Sequence, residues 1–477
     1  MAAPHPTDLP AAALDESFAR ARAAQGLWAN YTLSQRVRLL RRLWSVLERG
    51  REELAGVVHE ETGKLRSEFE LMELGPSRLA LKYFTRNAHR LLQDRPAPRP
   101  WTLLNKRAYV RWSPRGVVGV VSPWNMPFLL PFSDVMPALL AGNAVILKPS
   151  ERAPRTALWF ARRSAAAGLL PEGLFQVLPG GPETGAGVVE RSDLVVFTGG
   201  AEAGRSVARA AGARMIPAVL ELGGKHPMLV LRDAPLERAA KAAVWGAFAN
   251  CGQVCVGVER VFVERAAHDA FCALLERETG ALRPGLADGW DVDLGRLAGP
   301  DRLAVFERHL DDARAKGARV VGGEILDRER LLVSPALVFG AQPGMLVMEE
   351  ESFAPILPVM AVERVEDALR LANEHPSGLA ASVWTRDGRR GERLAALLEC
   401  GVVGVNDLLT HNAVHSLPFG GWKASGLGVR HSEEGLRMFC RPQSVLVHEW
   451  PLGSPEPWWF PYGRLKTRLL ELLSRLS

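Results

Sequence analysis

Short apolar runs alternate with longer helical patterns through most of the chain. The runs predicted as strands are Gly116–Val121, Ala144–Leu147, Leu194–Phe197, Val219–Leu222, Met228–Leu231 and Arg260–Val263. Segments with apolar residues at helical spacing separate them, for example Ala266–Thr279. Because parallel strands are joined through helical crossovers, this alternation predicts βαβ units. The pattern indicates an α/β protein with two such domains in series.

The beginning of the chain has a different pattern. From about Pro10 to Leu92 apolar residues keep helical spacing, and Gln35–Glu53 is the clearest stretch. A linker rich in Pro and Arg follows at Arg95–Pro100. We therefore expect a helical region before the first strand.

The end of the chain is cationic and amphipathic. The segment Trp450–Tyr462 is rich in Pro and Trp and is predicted to be extended, and Arg464–Leu476 is predicted to be a helix. One side of this helix carries Leu465, Leu469, Leu472 and Leu476, with Leu473 beside them. The other side carries Arg464, Arg468, Glu471 and Arg475. Such a helix either packs on its own or a neighbouring subunit, or it lies on a membrane surface. In the second case the interfacial aromatics are Trp458, Trp459, Phe460 and Tyr462.

Composition excludes several classes of protein. The 477 residues carry a formal charge of +6, a small excess for this length, and no nucleic-acid motif accompanies it. The most apolar stretch, Gly116–Leu147, contains four prolines and Asp134, which argues against a membrane-spanning helix. The N-terminus lacks the pattern of a secretory signal. Five cysteines make a disulfide framework improbable and fit a reducing cytoplasm. We expect no metal site, because no paired C-x-x-C spacing occurs and the eleven histidines form no cluster.

Three short segments carry candidate chemistry. Cys255 ends the sequence N-C-G-Q-V-C, where small and polar neighbours indicate a tight turn. Glu221 lies at the end of an apolar strand, where burial would raise the pKa of its carboxyl toward 6–7, the range of a general base. Asn125 stands between two prolines as a rigid amide donor that could stabilise an oxyanion. Each residue also has a purely structural interpretation. Cys255 would be a buried small hydrophobic residue, Glu221 would be part of an ion pair, and Asn125 would belong to a Pro-rich turn.

Taken together, seven motifs resemble those of the aldehyde dehydrogenase superfamily, in its order and near its spacing, over roughly Leu27 to Val447. They are P-W-N at 123–125, K-P-S-E at 148–151, F-T-G-G at 197–200 with Gly204, E-L-G-G-K at 221–225, G-Q-V-C at 252–255, E-E-S-F-A-P at 350–355 and P-F-G-G-W-K-A-S-G at 418–426. The resemblance implies the aldehyde dehydrogenase fold. That fold has a Rossmann-like cofactor domain, an α/β catalytic domain and a small β oligomerisation arm.

The resemblance also implies catalytic roles. Cys255 matches the nucleophile that attacks the aldehyde and, after hydride transfer to a nicotinamide, carries a thioester. Asn125 matches the oxyanion donor, and Glu221 matches the base that activates water to hydrolyse the thioester to a free acid. The presence of all three argues against a non-enzymatic scaffold.

The cofactor implied by the resemblance is NAD, with NADP less favoured. Lys148 and Glu151 match positions that hold the adenosine ribose, where a carboxylate accepts the 2′-hydroxyl and repels a 2′-phosphate. Gly199 and Gly204 match the glycines at a helix N-terminus that faces the pyrophosphate. The other matching cofactor positions are Trp124, Glu351 and Phe353.

Several positions depart from the family pattern. Gly200 replaces a frequent Ser or Asn, which removes one side-chain contact near the cofactor but should not stop binding. Ala354 replaces the glycine of the Glu-x-Phe-Gly-Pro motif, and it is expected to stiffen or shift the loop that positions Glu351 and so to alter cofactor affinity. Met126 and Ser133 stand where relatives often carry aromatic residues, so the substrate tunnel is expected to be wide or adaptable. The predicted tunnel residues are Met126, Leu129, Val254, Val256 and Phe419, with Phe128 and Leu130 nearby.

The sequence from Gly252 to Arg260 is similar to a bacterial subgroup with two kinds of member. One kind is diapolycopene-dialdehyde dehydrogenase-like, and the other is succinate-semialdehyde dehydrogenase-like. No motif position offers an arginine that must face a substrate carboxylate. We therefore favour a medium- or long-chain apolar aldehyde, with succinate semialdehyde or another small polar aldehyde as the alternative.

The resemblance also implies a domain division. The NAD-binding domain comprises residues 1–95 and 115–226, the catalytic domain 227–439, the oligomerisation arm 96–114 and 440–449, and the C-terminal extension 450–477. Strand-like sequences at Asn105–Trp112 and Gln443–Val447 fit the arm of a homodimer or homotetramer. The predicted location is cytoplasmic, with membrane contact through residues 450–477 as an open possibility.

Overall fold

Two large sheets organise the chain. The computed structural model describes residues 7–287, 289–449, 455–456 and 458–476. Within these ranges, a six-stranded sheet is followed in sequence by a seven-stranded sheet, and each has its own hydrophobic core. The α/β class and the parallel βαβ units predicted from the sequence are confirmed.

The six-stranded sheet is parallel except for one short edge strand. Its strands in spatial order are β19 (Gly426–Leu427), β7 (Ala218–Glu221), β6 (Leu194–Thr198), β3 (Val117–Val121), β4 (Ala144–Lys148) and β5 (Phe175–Val177). The central strands are continuous runs of Val, Ile and Leu because helices cover both faces of the sheet. Strand β19 comes from near the end of the chain and pairs antiparallel with β7.

The seven-stranded sheet is parallel except at its β10 edge. Its strands in spatial order are β10 (Arg319–Gly322), β13 (Ala336–Phe339), β14 (Ile356–Val362), β9 (Val258–Glu264), β8 (His226–Val230), β16 (Ala380–Trp384) and β17 (Val402–Val405). Two small antiparallel pairs lie outside it: β11 (Ile325–Asp327) with β12 (Leu332–Val333), and β15 (Ser377–Gly378) with β18 (Trp422–Lys423). The six strands predicted from sequence correspond to β3, β4, β6, β7, β8 and β9 with ends shifted by one or two residues.

Helices flank both sheets. Those up to the end of the first sheet's main strands are α1 (Ala11–Ala29), α2 (Leu33–Arg49), α3 (Arg51–Thr62), α4 (Arg66–Phe69), α5 (Gly75–Leu92), α6 (Leu129–Leu140), α7 (Pro154–Ala166), α8 (Pro182–Arg191) and α9 (Ala201–Ala213). Those that follow are α10 (Leu236–Phe248), α11 (Arg265–Gly280), α12 (Pro300–Ala315), α13 (Leu346–Glu349), α14 (Val365–Glu374), α15 (Gly388–Ala395), α16 (Ser432–Arg437) and α17 (Arg464–Leu476).

The helical pattern of Gln35–Glu53 contains a break that the sequence analysis did not place. Helix α2 begins at a capping box, in which Thr32 and Gln35 bond each other's backbone N–H groups. It ends at Gly50, and α3 starts at the next residue. A glycine at this boundary fits the low helix propensity of the residue.

The predicted arm strands pair with each other. Strand β2 (Lys106–Pro114) runs antiparallel to β20 (Cys440–His448) along nine residue pairs, and β1 (Arg95–Pro96) adds to the other edge of β2. Strand β20 is therefore an edge strand, and Leu446 on it is 58% exposed. The buried carboxylate of Glu456 pairs with Lys106, which ties the start of the C-terminal extension to this sheet.

The C-terminal helix is present as predicted, and its apolar side is exposed. Leu465, Leu469 and Leu472 are 87%, 49% and 56% exposed. Of the alternatives that the sequence left open, packing on its own subunit does not hold for these three leucines, whereas packing on a neighbouring subunit or on a membrane surface stays a prediction. Residues 450–454 and 457 of the predicted extended segment, and the side chain of Leu476, lie outside the described residues. Within the described ranges, no helix combines the length and apolar character needed to cross a bilayer.

The ends of the strands bring the predicted site residues together. Lys148 and Glu221 are the last residues of β4 and β7, and Asn125 lies on the loop that follows β3. These residues share the carboxyl edge of the parallel sheet, where ligands of such folds bind. Cys255 and Glu351 lie on loops that lead into the amino ends of β9 and β14 in the second sheet. The site thus forms where an edge of one sheet meets an edge of the other.

Candidate active site

The loop before Cys255 has an unusual backbone. Asn250, Cys251 and Gly252 have φ values of 52°, 56° and 72°, a left-handed run that is costly for the two residues with side chains. A Cβ on Gly252 would overlap the carbonyl of Ala354, so only glycine fits there. The backbone N–H of Asn250 donates to buried Glu68 at 2.5 Å. The surrounding structure therefore imposes a conformation that the sequence of the loop would not favour by itself.

A cavity of about 210 Å³ reaches Cys255 and Glu221. The five predicted tunnel residues, Met126, Leu129, Val254, Val256 and Phe419, all line it, as do Leu130 and Ser133. Phe128 does not, and the expectation for this residue is wrong. Its ring packs against Phe132 and Phe160 in the core of the first sheet because its side chain points away from the cavity.

Glu221 is deeply buried at the end of β7. Among the described residues, neither of its carboxylate oxygens has a hydrogen-bond partner. Burial raises the pKa of the Glu221 carboxyl to about 8, with Arg430 lowering it and Asp134 raising it further. This value exceeds the range of 6–7 expected from the sequence, because no hydrogen bond stabilises the charged form.

The thiol of Cys255 is held in its protonated form. Burial, followed by the charges of Glu351 and Glu221, raises its pKa to about 12. A thiol is a weak nucleophile until its proton is removed. Chemistry at Cys255 therefore needs a group that accepts the proton, and Glu221 lines the same cavity.

Asn125 is buried beside the Cys255 loop. Its side-chain amide donates to the carbonyl of Gln253 at 3.0 Å, and an amide nitrogen carries a second hydrogen that an oxyanion could accept. The backbone carbonyl of Asn125 accepts from the ammonium of Lys64 at 2.8 Å. Lys64 also pairs with Glu73 at 2.5 Å, and both side chains are fully buried.

The residues that hold the Asn125 loop were missed by the sequence analysis. Glu73 accepts from the backbone N–H groups of Phe128 and Leu129 at 3.2 and 2.6 Å, at the start of α6. Lys64 and Glu73 are charged residues in a helical pattern, where such residues usually face solvent. Their burial depends on loops that lie far away in sequence.

The predicted pyrophosphate position lies at the start of α9. Gly199 precedes this helix and Gly204 lies in its first turn, packed close against Leu222. Among the residues that the structure describes, no side chain caps the N-terminus of α9. Its first backbone N–H groups are therefore suited to bind an anionic group.

The predicted ribose and ring positions also come together. Lys148 forms an ion pair with Glu151, so the two residues predicted to hold the adenosine ribose lie side by side. The rings of Trp124 and Phe353 pack edge to face with centroids 5.7 Å apart, and Arg152 lies over Trp124. A wider cleft of about 1160 Å³ opens next to Glu151, but neither Cys255 nor Glu221 lines it.

Glu351 is buried like Glu221 but is held by the backbone. Its carboxylate accepts from the N–H of Gly224 at 3.0 Å, and burial raises its pKa to about 7. The carboxylate also lies so close to Gly223 that a Cβ there would overlap it. Glu259 fixes the rest of this loop by accepting from the N–H groups of Ser352 and Phe353.

Two further features of the cavity wall were missed by the sequence analysis. Arg430 lines the cavity, although it lies four residues beyond the last quoted motif. Three histidines also lie close together in the fold: the ring of His415 lies 4.4 Å from that of His431, and His411 stacks on Phe419. Burial lowers the pKa of all three, so they are neutral at pH 7. Within the described residues no group of His, Cys, Asp or Glu could hold a metal ion.

Comparisons with known sequences agree with one another. The family model described as "Aldehyde dehydrogenase family" matches residues 5–445. The chain is 40% identical over 454 residues to a 4,4'-diapolycopene aldehyde oxidase of Methylomonas sp, a match that covers 95% of this chain and 84% of that protein. It is 39% identical over 436 residues to a Mycolicibacterium smegmatis protein named as a succinate-semialdehyde dehydrogenase (NADP+), with 90% and 83% covered.

Solved structures give the same result. An aldehyde dehydrogenase of Anabaena variabilis matches with a TM-score of 0.89 and 32% identity, covering 95% of this chain and 96% of that one. A Mycobacterium tuberculosis aldehyde dehydrogenase complexed with NAD+ matches with a TM-score of 0.87 and 31% identity, covering 94% and 92%. The fold of the chain is the one that these structures share.

Proposed function

The chain belongs to the aldehyde dehydrogenase family, and we propose that it oxidises a medium- or long-chain, or otherwise apolar, aldehyde to the carboxylic acid with NAD. The observation that carries the substrate class is the cavity at Cys255, whose wall is mostly apolar side chains. Apolar pockets with a few polar groups bind ligands by burying their apolar surface. The relative named for an apolar aldehyde supports the same class.

The first chemical step forms a bond between the Cys255 sulfur and the aldehyde carbon. Because the pKa of the thiol is about 12, Glu221 in its charged form takes the thiol proton as the bond forms. The second amide hydrogen of Asn125 donates to the developing oxyanion. Oxidation of this adduct leaves the acyl group as a thioester on Cys255.

The second step releases the acid. Glu221 first releases to solvent the proton that it took from the thiol. It then takes a proton from a water molecule, and the resulting hydroxide attacks the thioester carbonyl. The carbon–sulfur bond then breaks, and the acid leaves while Cys255 regains its thiol. A carboxyl whose pKa is near 8 suits this exchange, because it can both accept and return a proton near neutral pH.

The residues present fit a nicotinamide dinucleotide. The uncapped N-terminus of α9 suits the pyrophosphate, and Glu351 with Phe353 suits the nicotinamide riboside. When bound, the cofactor supplies the acceptor for the hydride removed from the substrate. The Lys148–Glu151 pair supports NAD over NADP, since the carboxylate would repel a 2′-phosphate.

Cofactor preference has a direct test. Initial rates with NAD+ and NADP+ are compared in the wild type and in Glu151→Gln. We expect the wild type to prefer NAD+ and the variant to lose part of that preference. Because relatives are named for NADP+, a wild type that prefers NADP+ would reject this part of the proposal.

The alternative substrate is succinate semialdehyde or another small polar aldehyde. The observation that favours it is Arg430 in the cavity wall, a cation that could face a substrate carboxylate. However, the guanidinium of Arg430 already bonds Asp134 and Thr198. The charge that it offers to a substrate is thereby partly neutralised, so the apolar aldehyde is preferred.

The test of the substrate is an aldehyde panel. Cofactor reduction is followed with aldehydes from acetaldehyde to decanal and with succinate semialdehyde, using Cys255→Ala as the control. We expect kcat/KM to rise with chain length and to vanish in Cys255→Ala. A preference for succinate semialdehyde would establish the alternative.

We further propose that the protein is a homodimer or homotetramer assembled through the arm. The support is the open edge of β20 with the exposed Leu446, since an unpaired edge strand tends to be covered. Light scattering after gel filtration should give at least a dimer, and Leu446→Arg should lower its association. A monomeric wild type would contradict the proposal.

We also propose that the enzyme is cytoplasmic and makes peripheral contact with a membrane through residues 450–477. The support is the exposed leucine side of α17, its four basic residues against one acidic residue, and the exposed Phe460 and Tyr462. Cosedimentation with anionic vesicles should decrease when residues 450–477 are deleted. Unchanged binding would reject the anchor, and a change in oligomeric state instead would assign the helix to a neighbouring subunit.

A further inference from the structure

A buried ion pair lies beside Glu221. Arg430 donates to the carboxylate of Asp134, and the exposed fractions of these two side chains are 6% and 2%. The same guanidinium nitrogen donates to the hydroxyl of Thr198 at 2.8 Å. Thr198 is paired with Glu221 in the register of β6 and β7, so the pair is joined directly to the strand end that carries Glu221.

The backbone around Arg430 is firmly placed. Arg430 and Phe419 exchange two backbone hydrogen bonds of 2.6 and 2.8 Å. The next two residues, His431 and Ser432, both have left-handed φ values, 59° and 56°. Strained backbone of this kind persists only where the surrounding structure enforces it, and it is concentrated at functional sites.

Glu221 depends on the pair because it lacks closer partners. Its two oxygens have no hydrogen-bond partner among the described residues, so apart from burial, which has the largest effect, its protonation responds to the charges of Arg430 and Asp134. The charged or titratable groups around it are Asp134 on α6, Arg430 after β19, and Cys255 on the loop before β9. His431 is neutral at pH 7 and adds no charge.

We propose that Asp134 and Arg430 act as a positioning pair that sets the proton affinity of Glu221, Arg430 favouring the charged carboxylate and Asp134 opposing it. The inference rests on the proposed function, in which Glu221 is the base. Neither residue of the pair needs to touch substrate. The pair therefore acts on Glu221 through its charges. The pKa of Glu221 responds to the two charges with these signs.

The test is the pH dependence of kcat in four variants: Arg430→Met, Arg430→Lys, Asp134→Asn and the double variant Asp134→Asn/Arg430→Met. The acidic limb is the pH range over which kcat falls as Glu221 gains a proton. Arg430→Met removes the cation and should move this limb to higher pH by about one unit, and Asp134→Asn removes the anion and should move it to lower pH by about one unit. The double variant should lie near the wild type. Arg430→Lys keeps the charge and should retain the wild-type limb, which separates charge from packing.

A matched control is Glu264→Gln. It breaks the pair of a similarly buried carboxylate with Arg232 at the opposite end of β9, and it should lower stability without moving the limb. Should Arg430→Met fail to fold, Asp134→Asn alone still gives a signed prediction. An unmoved limb in the folded single variants, or a shift of the wrong sign, would overturn the inference.

The experiment also distinguishes failure of the Asp134–Arg430 pair from failure of Glu221 as the base. If Glu221→Gln is inactive while the limbs of the other variants stay in place, the pair has no tuning role and the proposed function survives. If Glu221→Gln releases acid at the wild-type rate, both the base and the pair are rejected.

Discussion

Two buried carboxyl groups lie near Cys255, and the backbone around them differs. Glu351 accepts a hydrogen bond from Gly224 and packs closely against Gly223. Glu221 has no hydrogen-bond partner for either oxygen among the described residues. Both have raised pKa values, about 7 and about 8, because both are buried. Burial alone therefore does not distinguish a base from a binding group, whereas hydrogen bonding does.

The difference predicts different roles. A carboxylate that accepts a backbone N–H is fixed in position and has less need to gain a proton. A carboxylate without partners gains most from taking a proton, which is what a base does. This contrast supports the proposal that Glu221 transfers protons and that Glu351 positions a ligand.

The largest expected effect separates the two carboxyls by rate. Glu221→Gln should lower steady-state kcat by about 100- to 10,000-fold, the usual worth of general base catalysis. Glu351→Gln should raise KM for the cofactor by roughly tenfold or less, the worth of about one hydrogen bond. Steady-state kinetics with saturating aldehyde measures both. Equal losses in the two variants would remove the distinction.

A smaller effect is expected from pH. Because Glu221 must be charged to accept a proton and its pKa is about 8, kcat should rise with pH and level off above 8. At pH 7 the rate should be about one tenth of the plateau, since one pH unit is a tenfold change in the charged fraction. A pH profile of the wild type measures this, and a limb below pH 6 would contradict the assigned pKa.

The smallest effect concerns the fit between Gly223 and Glu351. In Gly223→Ala the added methyl meets the carboxylate of Glu351, and such overpacking costs about 1–3 kcal/mol of stability. We expect weaker cofactor binding with little change in the limb due to Glu221. Gly212→Ala, in an open part of α9, is the matched control and should be neutral or slightly stabilising. Thermal unfolding and cofactor titration measure these effects, and a Gly223→Ala protein as stable as Gly212→Ala would show that the contact is unimportant.

The sequence predicts the local parts of this arrangement. Strands β3, β4 and β6 are continuous apolar runs, and Cys255, Glu221 and Asn125 lie in recognisable motifs. It does not predict which charges are buried beside them. Asp134 and Arg430 are 296 residues apart, and nothing in the neighbouring sequence of either residue indicates a partner.

The supports of the Asn125 loop illustrate the same limit. Lys64 and Glu73 lie in a helical region where charged residues usually face water. Their burial follows from the packing of α4 and the following turn against loops of both sheets, which only the folded chain brings together. The pattern of a helix gives its period, but it does not give the surface against which each side packs.

The most direct test of the account is the mass of the protein after reaction. Glu221→Gln is mixed with decanal and NAD+, quenched in acid, and digested for mass spectrometry. Because Glu221 is also the base for the thiol, this variant should form the thioester only slowly, with solvent as the proton acceptor, and should accumulate it over a long incubation since hydrolysis lacks its base. We predict a decanoyl group on the peptide that contains Cys255, and none in Cys255→Ala. An unmodified peptide, or an acyl group on another residue, would contradict the thioester mechanism.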